Sequence, residues 1–181
     1  MTELATHPLP AHSKAFTIMI AMLMSIVAIS IDAMLPALGM VSGEFALVNP
    51  NHVQYVVGCI FIGMAVGQLV CGPLSDALGR KRVLYVGLLL YVIGSTVCYR
   101  ADNFQMLLMG RLLQGLGVAG PYVCAISIVR DKFSGRHMAR VMSVIMMIFI
   151  LVPAVAPSLG QAILYIASWR EIFLQIGRAS C

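Results

Sequence analysis

Two ionisable residues stand at or within otherwise uncharged apolar runs: Asp32, at the far end of the run 15–31, and Arg111, within the run 106–129. A charge at the bilayer centre costs at least about 2.5–3.5 kcal/mol, so it normally faces a polar cavity or a partner. Asp32 comes 16 residues after Phe16, which places it about 24 Å along a helix. Arg111 lies five residues past Met106, about 8 Å in from the opposite entry. In a hydrocarbon core of about 30 Å these depths agree. An aspartate and an arginine at one level can offset each other, and the balance between burial and the cation decides whether the carboxylate holds a proton. Every histidine (His7, His12, His52, His137) falls in a tail or loop, which leaves Asp32 as the clearest intramembrane proton carrier. The competing reading is that Asp32 marks a helix end before Pro36 and that Arg111 reaches the interface along its stem. Other chemistries lack their residues. No GxSxG or HExxH occurs, and the five cysteines are scattered singly without CxxC spacing. A hydrolase would need a nucleophile with a base at matching depth, and a zinc site would need clustered ligands. No catalytic residue, metal site or cofactor is expected, and the chain is not read as an enzyme.

The elements that position these charges follow from composition. The 181 residues are 60% apolar and 10% charged, with a mean hydropathy of +0.94. Soluble domains carry about 45–50% apolar and about 25% charged residues. So much apolar surface needs lipid around it, which excludes a soluble domain, a disordered chain and a nucleic-acid-binding module. A spanning helix takes about 20 apolar residues. Five such segments are expected, at 15–31, 53–72, 83–99, 106–129 and 141–169, and a sixth begins at Trp169. A cleaved signal peptide competes for the first, but its run exceeds the roughly 7–15 residues of a signal core. The polar stretches 43–51, 76–82, 100–103 and 130–140 read as connections. Eight lysines and arginines fall in the tail, second and fourth connections, against two in the others. The positive-inside rule then puts the N-terminus in the cytoplasm.

Small and kinking residues complete the pattern. Gly63 and Gly67 form a GxxxG pair, and Gly110, Gly115, Gly117 and Gly120 crowd the fourth span, where they suit close helix contact. Gly115 and Gly117, with Gln114, are also candidates to line a cavity beside Arg111. Pro153 and Pro157 in the fifth span are candidate helix kinks, and either a moving part or a static bend is open.

The stretch Gly72-Pro-Leu-Ser-Asp76-Ala-Leu-Gly79-Arg80-Lys81-Arg82 resembles the loop signature of the major facilitator superfamily, with Ala77 where an arginine is usual. The resemblance implies a cytoplasmic latch formed by Gly72, Asp76, Gly79, Arg80 and Lys81. Arg111-Leu-Leu-Gln114-Gly115-Leu-Gly117 is similar to the fourth-span signature of drug:proton antiporters, which implies proton coupling at Arg111. Pro153-Ala-Val-Ala-Pro157 looks like a degenerate antiporter motif, with Ala156 where glycine is usual. Asp32-Ala-Met-Leu-Pro36 and the Trp169-Arg170 entry resemble the Bcr/CflA multidrug subgroup. These likenesses imply an all-α polytopic protein of the bacterial inner membrane, exporting amphiphilic drugs on the proton gradient and conferring antibiotic resistance. Residues 1–15 are then a cytoplasmic tail, 16–174 an incomplete N-terminal half and 175–181 a tail that does not continue the sixth span. The expected partners are drug, bilayer and a missing C-terminal half, with no nucleic acid. A metabolite exporter of the same superfamily and a transport-inactive truncated membrane protein are the alternatives.

Overall fold

Long apolar runs without internal charge leave the backbone one economical solution in lipid, the helix, in which every interior peptide group is bonded within its own segment. The computed structural model describes residues 11–47, 49–166 and 173. Helices α1 (Ala11–Asp32), α2 (Leu38–Glu44), α3 (Tyr55–Leu78), α4 (Arg80–Tyr99), α5 (Phe104–Lys132) and α6 (Gly135–Ile166) follow in order, with short 3-10 turns at Leu35–Ala37 and Pro50–Gln54. Among the described residues five segments are long and apolar enough to cross a membrane: Phe16–Glu44, Asn51–Leu78, Arg80–Tyr99, Phe104–Lys132 and Gly135–Ser158. Large apolar side chains face outward, Leu69 79% and Ile150 71% exposed, as a lipid-facing surface requires. The fold is an all-α bundle of a multi-pass membrane protein.

Several boundaries differ from the sequence expectation, because lysine, arginine and other polar residues are compatible with a helix. α1 begins at Ala11, inside the expected tail. The polar stretch 76–82 is mostly helical and breaks only at Gly79, whose φ of 89° lies in the left-handed region that glycine tolerates. Arg130 and Lys132 sit in the last turn of α5, where cations favour the carbonyl end of the helix. The start of α5 is fixed by Asn103, whose side-chain oxygen accepts the Met106 N–H at 2.7 Å. The expected sixth span and the tail 175–181 lie outside the described residues, apart from Phe173, which is buried.

α5 is the central helix, lying against both α3 and α4, while α1 packs chiefly on α6. The approach is through small residues. A methyl group on Gly67 of α3 would sit 2.6 Å from that of Ala119, and one on Gly87 of α4 would sit 2.8 Å from the Pro121 ring. In lipid, where apolar burial drives little association, such close backbone packing is a main source of helix–helix energy. One apolar core gathers around Val27, Met34, Tyr91, Leu107 and Phe173, and a second around Ile20, Met24, Val129 and Ile145. Pro153 and Pro157 lie within the continuous helix α6.

Candidate functional site

Arg111 decides the geometry of the first core. It is 1% exposed, so the interfacial reading of its long stem does not hold. Its Nη1 donates to the Ser30 carbonyl of α1 at 2.9 Å and to Gln114 Oε1 at 3.3 Å. The guanidinium also lies 4.8 Å from the centre of the Phe173 ring, a cation–π distance. Gln114 extends the chain: its Nε2 donates to Ser95 Oγ at 2.8 Å, and Ser95 donates to the Tyr91 carbonyl at 2.9 Å. The Tyr91 hydroxyl returns to α1, 2.5 Å from Ser30 Oγ. Cys98 adds a weak S–H contact to Gln114 Oε1 at 3.7 Å. α1, α4 and α5 are therefore joined by one buried polar network that meets at Ser30, and α1 is held there by both its backbone and its side chain.

Asp32 is not part of this network. Among the described residues Arg111 forms no ion pair, and the expected Asp32–Arg111 contact is corrected to Arg111–Ser30. The levels agree, but two residues along a helix turn the side chain by about 200°. A helix that presents Ser30 to α5 therefore turns Asp32 away from it. Asp32 is the last residue of α1 and is half-buried. Arg111 Nε has no hydrogen-bond partner among the described residues, so the cation is held by neutral dipoles and a ring rather than by a counter-charge.

Gln114, Gly115 and Gly117, the candidates for a cavity lining, are closely packed within these helices. Gln114 is 1% exposed and committed to Arg111 and Ser95. A methyl on Gly115 would lie 3.0 Å from Gly63 Cα and would strike the Ile60 carbonyl. One on Gly117 would lie 2.8 Å from the Gly87 carbonyl and from Tyr91 Cα. Both glycines are closed contacts, with α3 and α4 respectively.

The basic end of the bundle holds a second cluster. Arg80 Nη2 reaches Asp76 at 3.4 Å, one helical turn away across Gly79. Its Nε pairs with Asp131 on α5 at 2.6 Å, and its carbonyl accepts the Cys124 thiol at 3.3 Å. Arg80 thus ties the ends of α3, α4 and α5 together. Asp131 was not singled out in the sequence, where 51 residues separate it from Arg80. Lys81 is exposed, and no side chain lies within 4 Å of where a methyl on Gly72 would project. Among the described residues no group of His, Cys, Asp or Glu could hold a metal ion.

Comparison with known proteins bears on both clusters. The family model described as Major Facilitator Superfamily matches residues 15–179, almost the whole chain. The chain belongs to the major facilitator superfamily. Its relatives are transporters rather than enzymes. It is 32% identical over 169 residues to the uncharacterized MFS-type transporter YdgK of Bacillus subtilis, covering 92% of this chain and 42% of that protein. It is 37% identical over 122 residues to multidrug resistance protein MdtL of Salmonella typhimurium, covering 67% of this chain and 30% of that protein. The MdtL of Citrobacter koseri is 35% identical over 133 residues, 72% of this chain and 34% of its own length. This major facilitator chain spans less than half the length of these relatives, and the Arg111 and Arg80 clusters are two places among the described residues where charge is organised by tertiary structure.

Proposed function

We propose that these residues belong to the N-terminal helical half, here incomplete, of a Bcr/CflA-type drug:proton antiporter of the bacterial inner membrane, with the N-terminus cytoplasmic. The observation that carries this is Arg111: a fully buried cation without a counter-ion among the described residues, bonded to α1 two residues before the one acidic side chain of that helix. Maintaining an isolated charge in this setting is costly, and functional sites are where such cost is retained. The printed names of the MdtL relatives support drugs as the substrate class.

In this reading Asp32 exchanges its proton with the outer side, and Arg111 senses the change through Ser30. Ionised Asp32 places a negative charge one half-turn from the Ser30 carbonyl, so the Arg111–Ser30 contact is stronger when Asp32 is ionised and weaker when a proton neutralises it. Protonation then frees α1 to move against α5, and drug leaves outward. Gln114 orients Arg111 and transmits the shift to α4 through Ser95. Asp76, Arg80 and Asp131, with Gly79 as the break and with Gly72 and Lys81 beside them, latch the cytoplasmic ends of α3, α4 and α5. Pro153 and Pro157 supply bend positions in α6. The amphiphilic drug, the bilayer and the C-terminal half are the partners, and the proton gradient is the energy source.

The test is Asp32→Asn in the complete carrier, assayed in everted vesicles as drug accumulation driven by an imposed pH gradient. The expected result is loss of gradient-driven accumulation with drug binding retained. Accumulation at the unaltered rate would refute the assignment.

A further inference from the structure

The glycines that bring α3 and α4 onto α5 leave the two outer helices diverging from each other. Gly67 and Gly87 meet α5 closely, whereas α3 and α4 touch each other little. Between them runs a groove of about 210 Å³ toward the basic end of the bundle. Val70, Leu74 and Leu78 of α3 form one wall, Val86 and Leu90 of α4 the other, and Leu116 of α5 the floor. From Leu90 to Arg82 the groove extends about 12 Å, close to the roughly 15 Å depth of one leaflet. Val70 is 57% and Val86 55% exposed, so the groove opens sideways at the surface of these helices rather than into a closed interior.

Its surface is almost wholly apolar, and its one charged lining residue stands at the end. Arg82 closes the groove where α4 begins. Of the three consecutive cations Arg80, Lys81 and Arg82, only Arg80 is engaged by carboxylates, those of Asp76 and Asp131. Among the described residues Arg82 has no hydrogen bond or ion pair. An apolar channel one leaflet deep with an uncommitted guanidinium at the headgroup level is complementary to one kind of molecule. We propose that the α3–α4 groove holds an acyl chain of an anionic phospholipid, whose phosphate is bound by Arg82. The guanidinium offers planar bidentate donors to phosphate. A basic pocket between helices at a membrane face is a recurrent way of holding acidic headgroups.

The experiment is native mass spectrometry of the full chain released from nanodiscs of equimolar phosphatidylglycerol and phosphatidylcholine. Retained phosphatidylglycerol is expected to exceed phosphatidylcholine about five-fold, the preference that one basic residue near an anionic surface confers. Arg82→Gln should equalise the two lipids while leaving one retained. Val86→Trp, which fills the groove from an exposed position, should abolish retention of both. Lys81→Gln, an equal loss of charge outside the groove, should leave the preference intact. Helix content by circular dichroism confirms that each variant is folded. Equal retention of the two lipids by the unaltered chain, a preference that survives Arg82→Gln, or retention untouched by Val86→Trp would each overturn the proposal. Loss of preference in Lys81→Gln to the same extent would assign it to a diffuse basic surface instead. A dimer that excludes lipid from the groove would assign the groove to a second copy of the chain.

Discussion

Gly117→Val tests whether the fourth-span glycines are contacts or cavity lining. The first methyl carbon would stand 2.8 Å from the Gly87 carbonyl and from Tyr91 Cα, and it would strike the Tyr91 amide. Backbone atoms cannot rotate aside, so α4 and α5 must separate. Overpacking of this kind costs about 1–3 kcal/mol. Separation also withdraws the Tyr91 hydroxyl from Ser30, a hydrogen bond contributing about 1 kcal/mol. The expected destabilisation is about 2–4 kcal/mol, roughly a 30- to 900-fold shift in the folding equilibrium. Gly58→Ala is the matched control: its added methyl meets nothing within 4 Å, and it lies in helix α3. Alanine there should be neutral or stabilising by up to about 1 kcal/mol. Reversible unfolding of both variants in bicelles, followed by helix content, makes the comparison. A Gly117→Val protein as stable as the unaltered one would refute the contact reading and restore the cavity reading.

Arg111→Lys should behave as a disruptive change: one nitrogen, Nη1, reaches both Ser30 and Gln114, and a lysine ends one bond short of it and loses the planar face over the Phe173 ring, so the unfolding temperature should fall by several degrees. A lysine variant with unchanged stability would remove the network from the account. Tyr91→Phe and Ser30→Ala should each destabilise by about 1 kcal/mol, while the double variant should cost about 0.5–1.5 kcal/mol less than their sum; strict additivity in the cycle would show that the hydroxyls are not coupled. Asp131→Asn removes a partly exposed partner of Arg80, so the stability loss should stay below about 1 kcal/mol. The effect should appear instead as faster alkylation of Cys124, whose thiol donates to the Arg80 carbonyl, and unchanged labelling would argue against the clamp.

Much of the bundle was legible because spanning helices are set by local composition. Five apolar runs, one of them interrupted by Arg111, correspond to five candidate spans among the described residues, and Asp76 and Arg80, which lie four residues apart, meet in an ion pair. What remained illegible was rotation about each helix axis. Depth could be counted in residues, which is why Arg111 arrives at the level of the end of α1. The facing could not be counted, and the cation meets Ser30 rather than Asp32. Gly115 and Gly117 were ambiguous for a related reason: a missing side chain serves close contact and an open cavity equally well, and only the neighbouring backbone of α3 and α4 distinguishes them. Tyr91 and Asp131 were missed because their partners lie 61 and 51 residues away. A census of hydroxyl and amide groups inside the spans would have flagged Ser30, Tyr91, Ser95 and Gln114, since each must find a partner once removed from water. The polar stretch 76–82 misled in the opposite direction, because lysine and arginine are good helix formers and only Gly79 interrupts.

The most direct measurement of the central claim is drug-evoked proton release from the purified complete carrier in weakly buffered solution. If Asp32 exchanges its proton against drug, adding an amphiphilic drug should release protons from the unaltered protein. The release should be absent from Asp32→Asn, with drug affinity in the variant equal to or higher than normal. Proton release of unchanged size in Asp32→Asn would contradict the account and move the coupling carboxylate elsewhere in the protein.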